Sequence, residues 1–380
     1  MSTEQRLPLS VSDSDLDDLR DRLRRTRWAT PWPTAAWAAG TDGDELHRLV
    51  EYWATKYDWR THEDTLEALP SNVAVIDETP IYYLRYNAEV DQEGTRAIVL
   101  SHGWPSSVLE LVPLAERLSK PSQYGGRPED ACTVIVPSLP GFGFSPQRPT
   151  LPDAMPTHEL WHRLMHDELG FEQYIAHGGD LGAGITSRLG RTHPEAVTGI
   201  HVLAVAAPTE YDPATLTGEE QAHLDRMKAW MSEEGGYNHQ QSTRPLTLAA
   251  GLSDSPTGLL AWILEKYRAW SDSHGDVSTR FSDDFLLTQA SLYWFTNAIS
   301  TSFRPYYEYA QSSQQLGGRV EVPTAVALFP ADIAQPPRSW AERANNVTRF
   351  TTMPRGGHFA AHEEPALLAE DIQAFLRTLP

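Results

Sequence analysis

The chain has 380 residues, which fits one large α/β domain with insertions or two domains. Its 51 acidic and 31 basic residues give a formal net charge of −20, and such a surface repels nucleic acid and anionic lipids as partners. The single cysteine, Cys132, excludes an internal disulfide and a cysteine-based metal site. The start lacks a basic segment followed by an apolar one, and no apolar run reaches the ~20 residues that span a bilayer. We therefore expect a cytoplasmic protein without a signal peptide.

The N-terminal part is predicted to begin with two helices. Ser12 or Ser14 can cap the first, whose leucines at 16, 19 and 23 form one apolar stripe. The second helix is predicted from residue 44 to about residue 56. Residues 73–76 and 81–86 then have the composition of two short strands.

The pattern changes near residue 97, where short, continuous apolar runs begin to alternate with helix-like segments. Such runs are typical of strands buried on both faces. They lie at residues 97–100, 133–136, 174–176, 200–205, 325–329 and 347–351. Helices are predicted between them at residues 109–118, 158–169 and 183–192 and after them at residues 365–376. This alternation predicts a mostly parallel, doubly wound α/β sheet.

One interval, between residues 205 and 325, is far longer than a strand-to-helix connection needs. Residues 259–264 and 285–299 within it have helical character, which indicates an inserted helical subdomain. Inserted at the carboxyl ends of parallel strands, it would cover the crevice in which such sheets bind ligands. We expect an N-terminal extension at 1–90, the first part of the α/β core at 91–207, a helical cap at 208–315 and the second part of the core at 316–380.

The strongest chemical signal is the segment HGGDLG at residues 177–182, directly after a predicted strand and before a helix. Gly178 and Gly182 flank Asp180 as in the G-x-nucleophile-x-G elbow, with aspartate in place of serine. A carboxylate can displace a leaving group at saturated carbon and form an alkyl ester, which water must then hydrolyse with the help of a base. Taken alone, Asp180 is equally explained as the cap of the following helix.

The candidate base is His358, in a glycine-containing loop between the last predicted strand and the last helix. Asp332, after the preceding strand, is the candidate acid that orients the imidazole. Nucleophile, acid and histidine then follow the chain order of α/β-hydrolases. In isolation, Asp332 is better explained as a turn residue after Pro330.

The segment HGWP at residues 102–105 follows the strand predicted at 97–100. In α/β-hydrolases this turn donates one N–H group of the oxyanion hole, and the residue after the nucleophile donates the other. We assign these groups to Trp104 and Leu181. The segment GFGFS at 141–145 adds the expected glycine-rich turn.

Together with GGHFA at 356–360, these motifs resemble epoxide hydrolases of the α/β-hydrolase superfamily. The segments LRRTRW at 23–28 and YDWR at 57–60 are similar to motifs of the branch with an N-terminal extension, which includes microsomal and fungal enzymes. The resemblance covers essentially the whole chain. It implies an α/β-hydrolase fold with helices on both faces of the central sheet, an N-terminal helical extension and an inserted helical cap.

The resemblance also implies two cap tyrosines that hydrogen-bond the epoxide oxygen and donate a proton. The segments YWFT at 293–296 and RPYYE at 304–308 match the motif of one of them, and its register indicates Tyr306, with Tyr307 as the alternative. The other is Tyr237, which precedes the segment STRP at 242–245. Two phenols suit the chemistry, because the leaving alkoxide is strongly basic.

The family usually has tryptophan after the nucleophile, whereas this chain has Leu181. The backbone N–H survives that difference, but the pocket wall changes. We expect a substrate pocket lined by Trp104, Leu181, Tyr307 and Phe359. Aromatic cap residues either favour an aryl or bulky apolar epoxide or simply form the core of the cap; they are Trp262, Trp270, Trp294, Phe295 and Phe303. Similar enzymes act in detoxification and in the synthesis of natural products such as enediyne antibiotics.

The expected reaction uses an epoxide and water, yields a vicinal diol, and requires neither a metal nor an organic cofactor. A haloalkane or haloacid dehalogenase is the nearest alternative, although Leu181 stands where a halide-binding tryptophan is common. A serine esterase would need serine at the elbow. A non-catalytic binding protein of this fold would usually have lost one of the three triad residues. By analogy with similar enzymes, a homodimer is a further expectation.

Overall fold

The computed structural model describes residues 10–90, 94–148, 155–208, 211–311 and 318–380. Residues 1–9, which bear on the expected absence of a signal peptide, lie outside this range. The expected domain limits at 91 and at 315–316 also fall on residues that are not described. The division into four parts remains a prediction.

Across the described residues, eight strands form one sheet in the order β1-β2-β4-β3-β5-β6-β7-β8. The strands are β1 Ser71–Ile76, β2 Thr79–Tyr86, β3 Arg96–Ser101, β4 Cys132–Pro137, β5 Tyr174–Gly178, β6 Val197–Val202, β7 Val320–Leu328 and β8 Asn345–Thr352. The pairs β1–β2 and β2–β4 are antiparallel, and the other pairs are parallel. The parallel strands therefore deliver their carboxyl ends to one edge, which is where sheets of this kind bind ligands.

Sixteen α-helices accompany the sheet within the described ranges. The helices before the insertion are α1 Asp13–Arg24, α2 Gly43–Thr55, α3 Trp59–Glu67, α4 Val108–Ser119, α5 Thr157–Arg163 and α6 Asp180–Thr192. Those of the insertion are α7 Gly218–Glu233, α8 Gly236–Thr243, α9 Pro245–Leu252, α10 Pro256–Trp270, α11 Asp283–Phe295, α12 Ala298–Ser302 and α13 Arg304–Gln311. After it come α14 Arg338–Ala344, α15 Ala360–Glu363 and α16 Pro365–Leu376.

Local signals explain several of these boundaries. Ser12 caps α1 in a reciprocal capping box with Asp15, and Pro365 stands at the first position of α16. The helix predicted over 285–299 is instead divided into α11 and α12, because Asn297 adopts a left-handed conformation with φ of 51°. The sequence analysis also missed α3, which Asp58 caps.

Strands β3, β4 and β5 are buried almost throughout, because helices cover both faces of the sheet. The helices α1 to α3 pack mainly against the inserted helices rather than against the sheet. The indole N–H of Trp53 donates to Ser291 at 3.0 Å, and the Tyr57 hydroxyl is bonded to Thr288 at 3.0 Å. The N-terminal helices thus bind helix α11 and help to hold it, and with it the cap, over the carboxyl edge of the sheet.

Candidate active site

Asp180 lies at the sharp turn between β5 and α6, with φ of 48°. A non-glycine residue in this region is strained, and its neighbours must allow a very close backbone approach. A Cβ atom on Gly178 would lie 2.3 Å from the Gly182 carbonyl, and one on Gly182 would lie 2.1 Å from the Ser101 oxygen. The two glycines of the predicted elbow are therefore required by the fold, and the turn holds the Asp180 side chain at the carboxyl edge of the sheet.

The Asp180 carboxylate accepts two backbone N–H groups. Its Oδ1 lies 2.8 Å from the amide nitrogen of Trp104, at the turn after β3, and the amide of Leu181 is a second donor. Gly103 permits this approach, since a Cβ atom there would lie 2.3 Å from Asp180 Oδ1. These are the two N–H groups that the sequence predicts for the oxyanion hole. The other carboxylate oxygen of Asp180 is Oδ2.

His358 lies between two carboxylates. Its Nε2 is 3.4 Å from Asp180 Oδ2, and its Nδ1–H donates to Asp332 Oδ1 at 2.7 Å. The same Asp332 oxygen accepts the Ile333 N–H at 2.7 Å, which fixes the carboxylate in its turn after β7. The backbone N–H of His358 donates to the Trp270 carbonyl at 2.8 Å, so the end of cap helix α10 holds the histidine loop. The structure brings the three predicted triad residues together.

The ionisation of this group is coupled. Burial acts to lower the pKa of His358, but the carboxylates of Asp332 and Asp180 outweigh it and hold the pKa well above its usual value. Burial acts to raise the pKa of Asp180, and the hydrogen bond and charge of His358 together with the Trp104 and Leu181 amides bring it below its usual value. Both shifts favour an ionised Asp180 beside a protonated imidazole.

Tyr237 and Tyr306 come from cap helices α8 and α13 and meet above Trp104. The Tyr237 ring stacks on Trp104 with centroids 5.4 Å apart, and the Tyr306 ring lies 6.0 Å from Trp104 and 6.1 Å from Tyr237, edge-on to both. Burial first, and then the negative charge of Asp180, raise the pKa of both phenols, which remain protonated. Among the described residues the Tyr306 hydroxyl has no hydrogen-bond partner.

Tyr307 is not part of this group. Its side chain is 40% exposed, whereas Tyr306 is 7% exposed. Adjacent residues on a helix point about 100° apart, so only one of this pair can face the site. Two contacts link α13 to Arg148: Glu308 forms an ion pair with its guanidinium, and Arg304 donates to its carbonyl at 2.6 Å. Tyr306, not Tyr307, contacts Trp104 and Tyr237, and the expectation that Tyr307 lines the substrate pocket stays a prediction.

The other expected pocket residues differ in position. Trp104 is fully buried, and its backbone and ring both contact the proposed catalytic groups. Phe359 is buried, lies against His358 and stacks on Tyr267 with centroids 4.3 Å apart. Leu181 is partly buried and packs against the hydrophobic core, contributing its backbone to the site.

The aromatic cap residues divide into three groups. The Trp270 ring lies 4.9 Å from Tyr237 and 5.2 Å from His358, and Phe303 packs against Trp104. Trp294 and Phe295 instead contact the N-terminal helices, through Arg22 and Trp59. Trp262 lines an open cavity, called the outer chamber below, together with Trp37, Leu248 and Lys266.

Two cavities adjoin the site. The inner one has a volume of about 10 Å³ and lies among Trp104, Asp180, His358, Phe359 and Glu110, the last of which the sequence analysis did not identify. The outer one is open and has a volume of about 760 Å³. Tyr237 forms part of its wall, together with Trp37, Leu248, Trp262 and Lys266.

Within the described part of the chain, no group of three or more His, Cys, Asp or Glu side chains could hold a metal ion. No helix of the same residues has the length and apolar character needed to cross a membrane.

Comparisons with known proteins show the family of this chain. Residues 4–111 match the family described as epoxide hydrolase N terminus, and residues 96–234 match the α/β hydrolase fold. A protein of Stigmatella aurantiaca, provisionally named an epoxide hydrolase, is 39% identical over 98% of this chain and 84% of its own length. Epoxide hydrolase 1 of Oryctolagus cuniculus is 30% identical over 97% of this chain and 87% of its own.

Solved structures give the same result. The epoxide hydrolase of Aspergillus niger is 31% identical, covers 100% of this chain and 98% of its own, and superimposes with a TM-score of 0.85. The juvenile hormone epoxide hydrolase of Bombyx mori is 27% identical and superimposes with a TM-score of 0.86 over 99% of this chain and 95% of its own. This chain belongs to the epoxide hydrolases and is an enzyme with the α/β-hydrolase fold.

Proposed function

We propose that this enzyme opens its epoxide by attack of Asp180 and releases a vicinal diol by hydrolysis of the resulting ester. The observation that carries the proposal is the continuous contact from nucleophile to base to acid, with 3.4 Å between Asp180 and His358 and 2.7 Å between His358 and Asp332. Helix capping alone would not require this contact. The contact between Asp180, His358 and Asp332 supports general base catalysis by His358.

In the first half-reaction, Asp180 Oδ2 attacks one epoxide carbon and the bond from that carbon to the ring oxygen breaks. Oδ1 already accepts the Trp104 N–H, so Oδ2, which faces His358, is the available nucleophile. Tyr237 and Tyr306 hold the ring oxygen, and one of them transfers its proton as the oxygen gains charge. The product is a hydroxyalkyl ester of Asp180 and a tyrosinate.

Once the ester has formed, the His358 imidazolium passes its proton, through water, to the tyrosinate and becomes a neutral base. In the second half-reaction, His358 accepts a proton from water while the water oxygen bonds to the carboxyl carbon of the ester. Oδ1 becomes the oxyanion and remains bonded to the amides of Trp104 and Leu181, each worth roughly 3 kcal/mol in comparable sites. Collapse of this intermediate expels the diol oxygen, which takes the proton from His358. The carboxyl proton left on Asp180 passes to His358 and restores the starting ion pair, so one epoxide and one water give one diol.

We propose an aryl or bulky apolar epoxide as the substrate class. The outer chamber of about 760 Å³ is large enough for a drug-sized molecule, and Trp37, Leu248 and Trp262 offer it apolar surface. Tyr237 stands in its wall and also stacks on Trp104, which places the chamber next to the proposed site of ring opening. Polycyclic natural-product epoxides fall in this class and belong in a substrate panel.

The test is to trap the ester. His358→Gln should form the alkyl-enzyme with styrene oxide and retain it, visible as an added mass of one substrate on the intact protein and on the peptide containing Asp180. Asp180→Asn should show neither adduct nor turnover while its circular dichroism spectrum stays unchanged.

Oxygen-18 water gives an independent measurement. In a single turnover the label should enter the Asp180 carboxyl group and not the diol. Label found directly in the diol would exclude the ester. Release of halide from haloalkanes, without diol formation from any epoxide of the panel, would favour a dehalogenase instead.

A further inference from the structure

Glu110 is a buried carboxyl group that neither the fold nor the proposed triad explains. It lies in the first turn of α4, two residues after Val108, and lines the inner cavity together with Asp180 and His358. The pattern Ser107-x-x-Glu110 would normally serve helix capping, in which the glutamate reaches back to the cap residue. Here the Ser107 hydroxyl accepts the Leu109 N–H and donates its own proton to Gln289.

The surroundings of Glu110 are those of a polar cavity within an apolar shell. The Ser106 hydroxyl is a hydrogen-bond partner of its carboxyl group. Tyr267 lies close enough to interact electrostatically with Glu110. Burying a carboxyl group is costly unless it is hydrogen-bonded, so this placement calls for a function.

The inner cavity has the size of one water molecule. Its volume of about 10 Å³ matches the ≳ 10 Å³ that one water needs, and a buried water requires two to four polar partners. His358, Glu110 and Asp180 all line this cavity and supply those partners. A water held there would adjoin the carbon that the second half-reaction attacks.

We propose that Glu110 positions the hydrolytic water by accepting one of its hydrogens while His358 removes the other. The inference rests on the ester mechanism proposed above. In the attacking water, one O–H bond donates to the Glu110 carboxylate and stays intact. The other O–H bond breaks, its proton passes to His358 Nε2, and the oxygen lone pair bonds to the carboxyl carbon of the Asp180 ester. Glu110 is thus a positioning residue for the second half-reaction alone.

The charge state of Glu110 gives the proposal a pH dependence. Burial raises the pKa of Glu110 to about 7, with the negative charges of Asp180 and Glu363 acting in the same direction and Ser106 and His358 against it. The other titratable groups coupled to it are the phenols Tyr267 and Tyr293. The carboxylate is a stronger acceptor of the water hydrogen than the protonated carboxyl group, so ester hydrolysis should slow as the pH falls through neutrality.

The experiment separates the two half-reactions of Glu110→Gln with styrene oxide as the probe. We expect the alkylation rate, measured by rapid quench and intact mass, to stay within about twofold of wild type. Ester hydrolysis should slow by about 10- to 100-fold, the range expected for loss of one hydrogen bond to a charged group. Glu116→Gln is the matched control, because Glu116 lies on the same helix but contacts Tyr124 at its far end.

The pH profile provides a second measurement that a purely structural role would not change. Below neutrality, protonation of both His358 and Glu110 should slow ester hydrolysis in the wild type, whereas Glu110→Gln should lose the contribution of Glu110. Glu110→Asp, which keeps the charge but shortens the side chain, should fall between the two and is the variant to use if the glutamine variant does not fold.

Three outcomes are distinguishable. Slowed hydrolysis with normal alkylation and a changed pH profile supports the role of Glu110. Hydrolysis at the wild-type rate, or equal slowing of both half-reactions, overturns it while the ester mechanism stands. Failure of any ester to appear, even in His358→Gln, overturns the ester mechanism itself.

Discussion

Replacing Tyr306 by phenylalanine should make the protein more stable and less active. The Tyr306 hydroxyl is buried in the cap and has no hydrogen-bond partner among the described residues. An unpaired buried polar group costs about 1–3 kcal/mol, and phenylalanine removes that cost without changing the shape of the ring. The ring contacts with Trp104 and Tyr237 would remain.

The size of the effect follows from the length of the chain. An unfolding entropy of about 2.1 cal/mol/K per residue gives roughly 0.8 kcal/mol/K for 380 residues. A gain of about 1–2 kcal/mol then raises the midpoint of thermal unfolding by roughly 1–3 °C. Loss of one proton donor should slow alkylation by about 10²-fold or more, since general acid catalysis contributes 10²–10⁴-fold.

The assay compares Tyr306→Phe with Tyr307→Phe by thermal unfolding and by the rate of alkylation with styrene oxide. Tyr307 is the matched control, because it is the next residue on the same helix and is 40% exposed. We expect Tyr307→Phe to change neither quantity measurably. A lower unfolding midpoint in Tyr306→Phe together with a normal alkylation rate would refute the role of Tyr306 as a proton donor.

Three further predictions concern the groups around Asp180. Asp332→Asn should slow ester hydrolysis by roughly 10³-fold, because the amide cannot stabilise the imidazolium. Asp332→Glu, which keeps the carboxylate, should retain more activity. The rate at which the ester decays measures both effects. Gly103→Ala should lower activity by more than about 10²-fold, since its Cβ would lie 2.3 Å from Asp180 Oδ1. Gly184→Ala is the control: its Cβ would have nothing within 4 Å, so the substitution should stabilise α6 by about 1 kcal/mol. The raised pKa of His358 contributes stability that is complete below about pH 6.5 and lost as the pH rises through its folded-state pKa. This alkaline loss in denaturant midpoint should be smaller in His358→Gln.

The main features of the fold could be predicted because the apolar runs and their spacing are local signals. The runs at 97–100 and 133–136 lie within β3 and β4, and the last helix has the predicted bounds. The run at 200–205 was placed too late, because β6 is Val197–Val202 and the apolar residues that follow leave the sheet for the cap. Residue hydrophobicity indicates burial, but it does not indicate where hydrogen bonding between strands ends.

The site was predictable where a residue is set by backbone geometry and not where it is set by tertiary contact. Asp180 and Trp104 belong to turns that need glycines at fixed positions, so the sequence identifies them. The choice between Tyr306 and Tyr307 depends on the rotation of α13, which is a matter of tertiary contacts such as the ion pair between Glu308 and Arg148. Glu110 carries a helix-capping pattern, and only the packing of α4 against the histidine loop turns its carboxyl group toward the cavity.

In the proposed mechanism, the short distance between Asp180 and His358 would let one histidine be inactive in the first half-reaction and act as a base in the second. In the resting enzyme two carboxylates raise the pKa of His358, so the imidazole is protonated and cannot accept a proton from water. Esterification removes the charge of Asp180 and leaves only Asp332. At 3.4 Å and an effective dielectric constant near 20, the charge lost is worth roughly 5 kcal/mol before solvent relaxation. We therefore infer that formation of the ester itself lowers the pKa of His358 and activates the base. Water is consequently not deprotonated before a substrate carbon is bound.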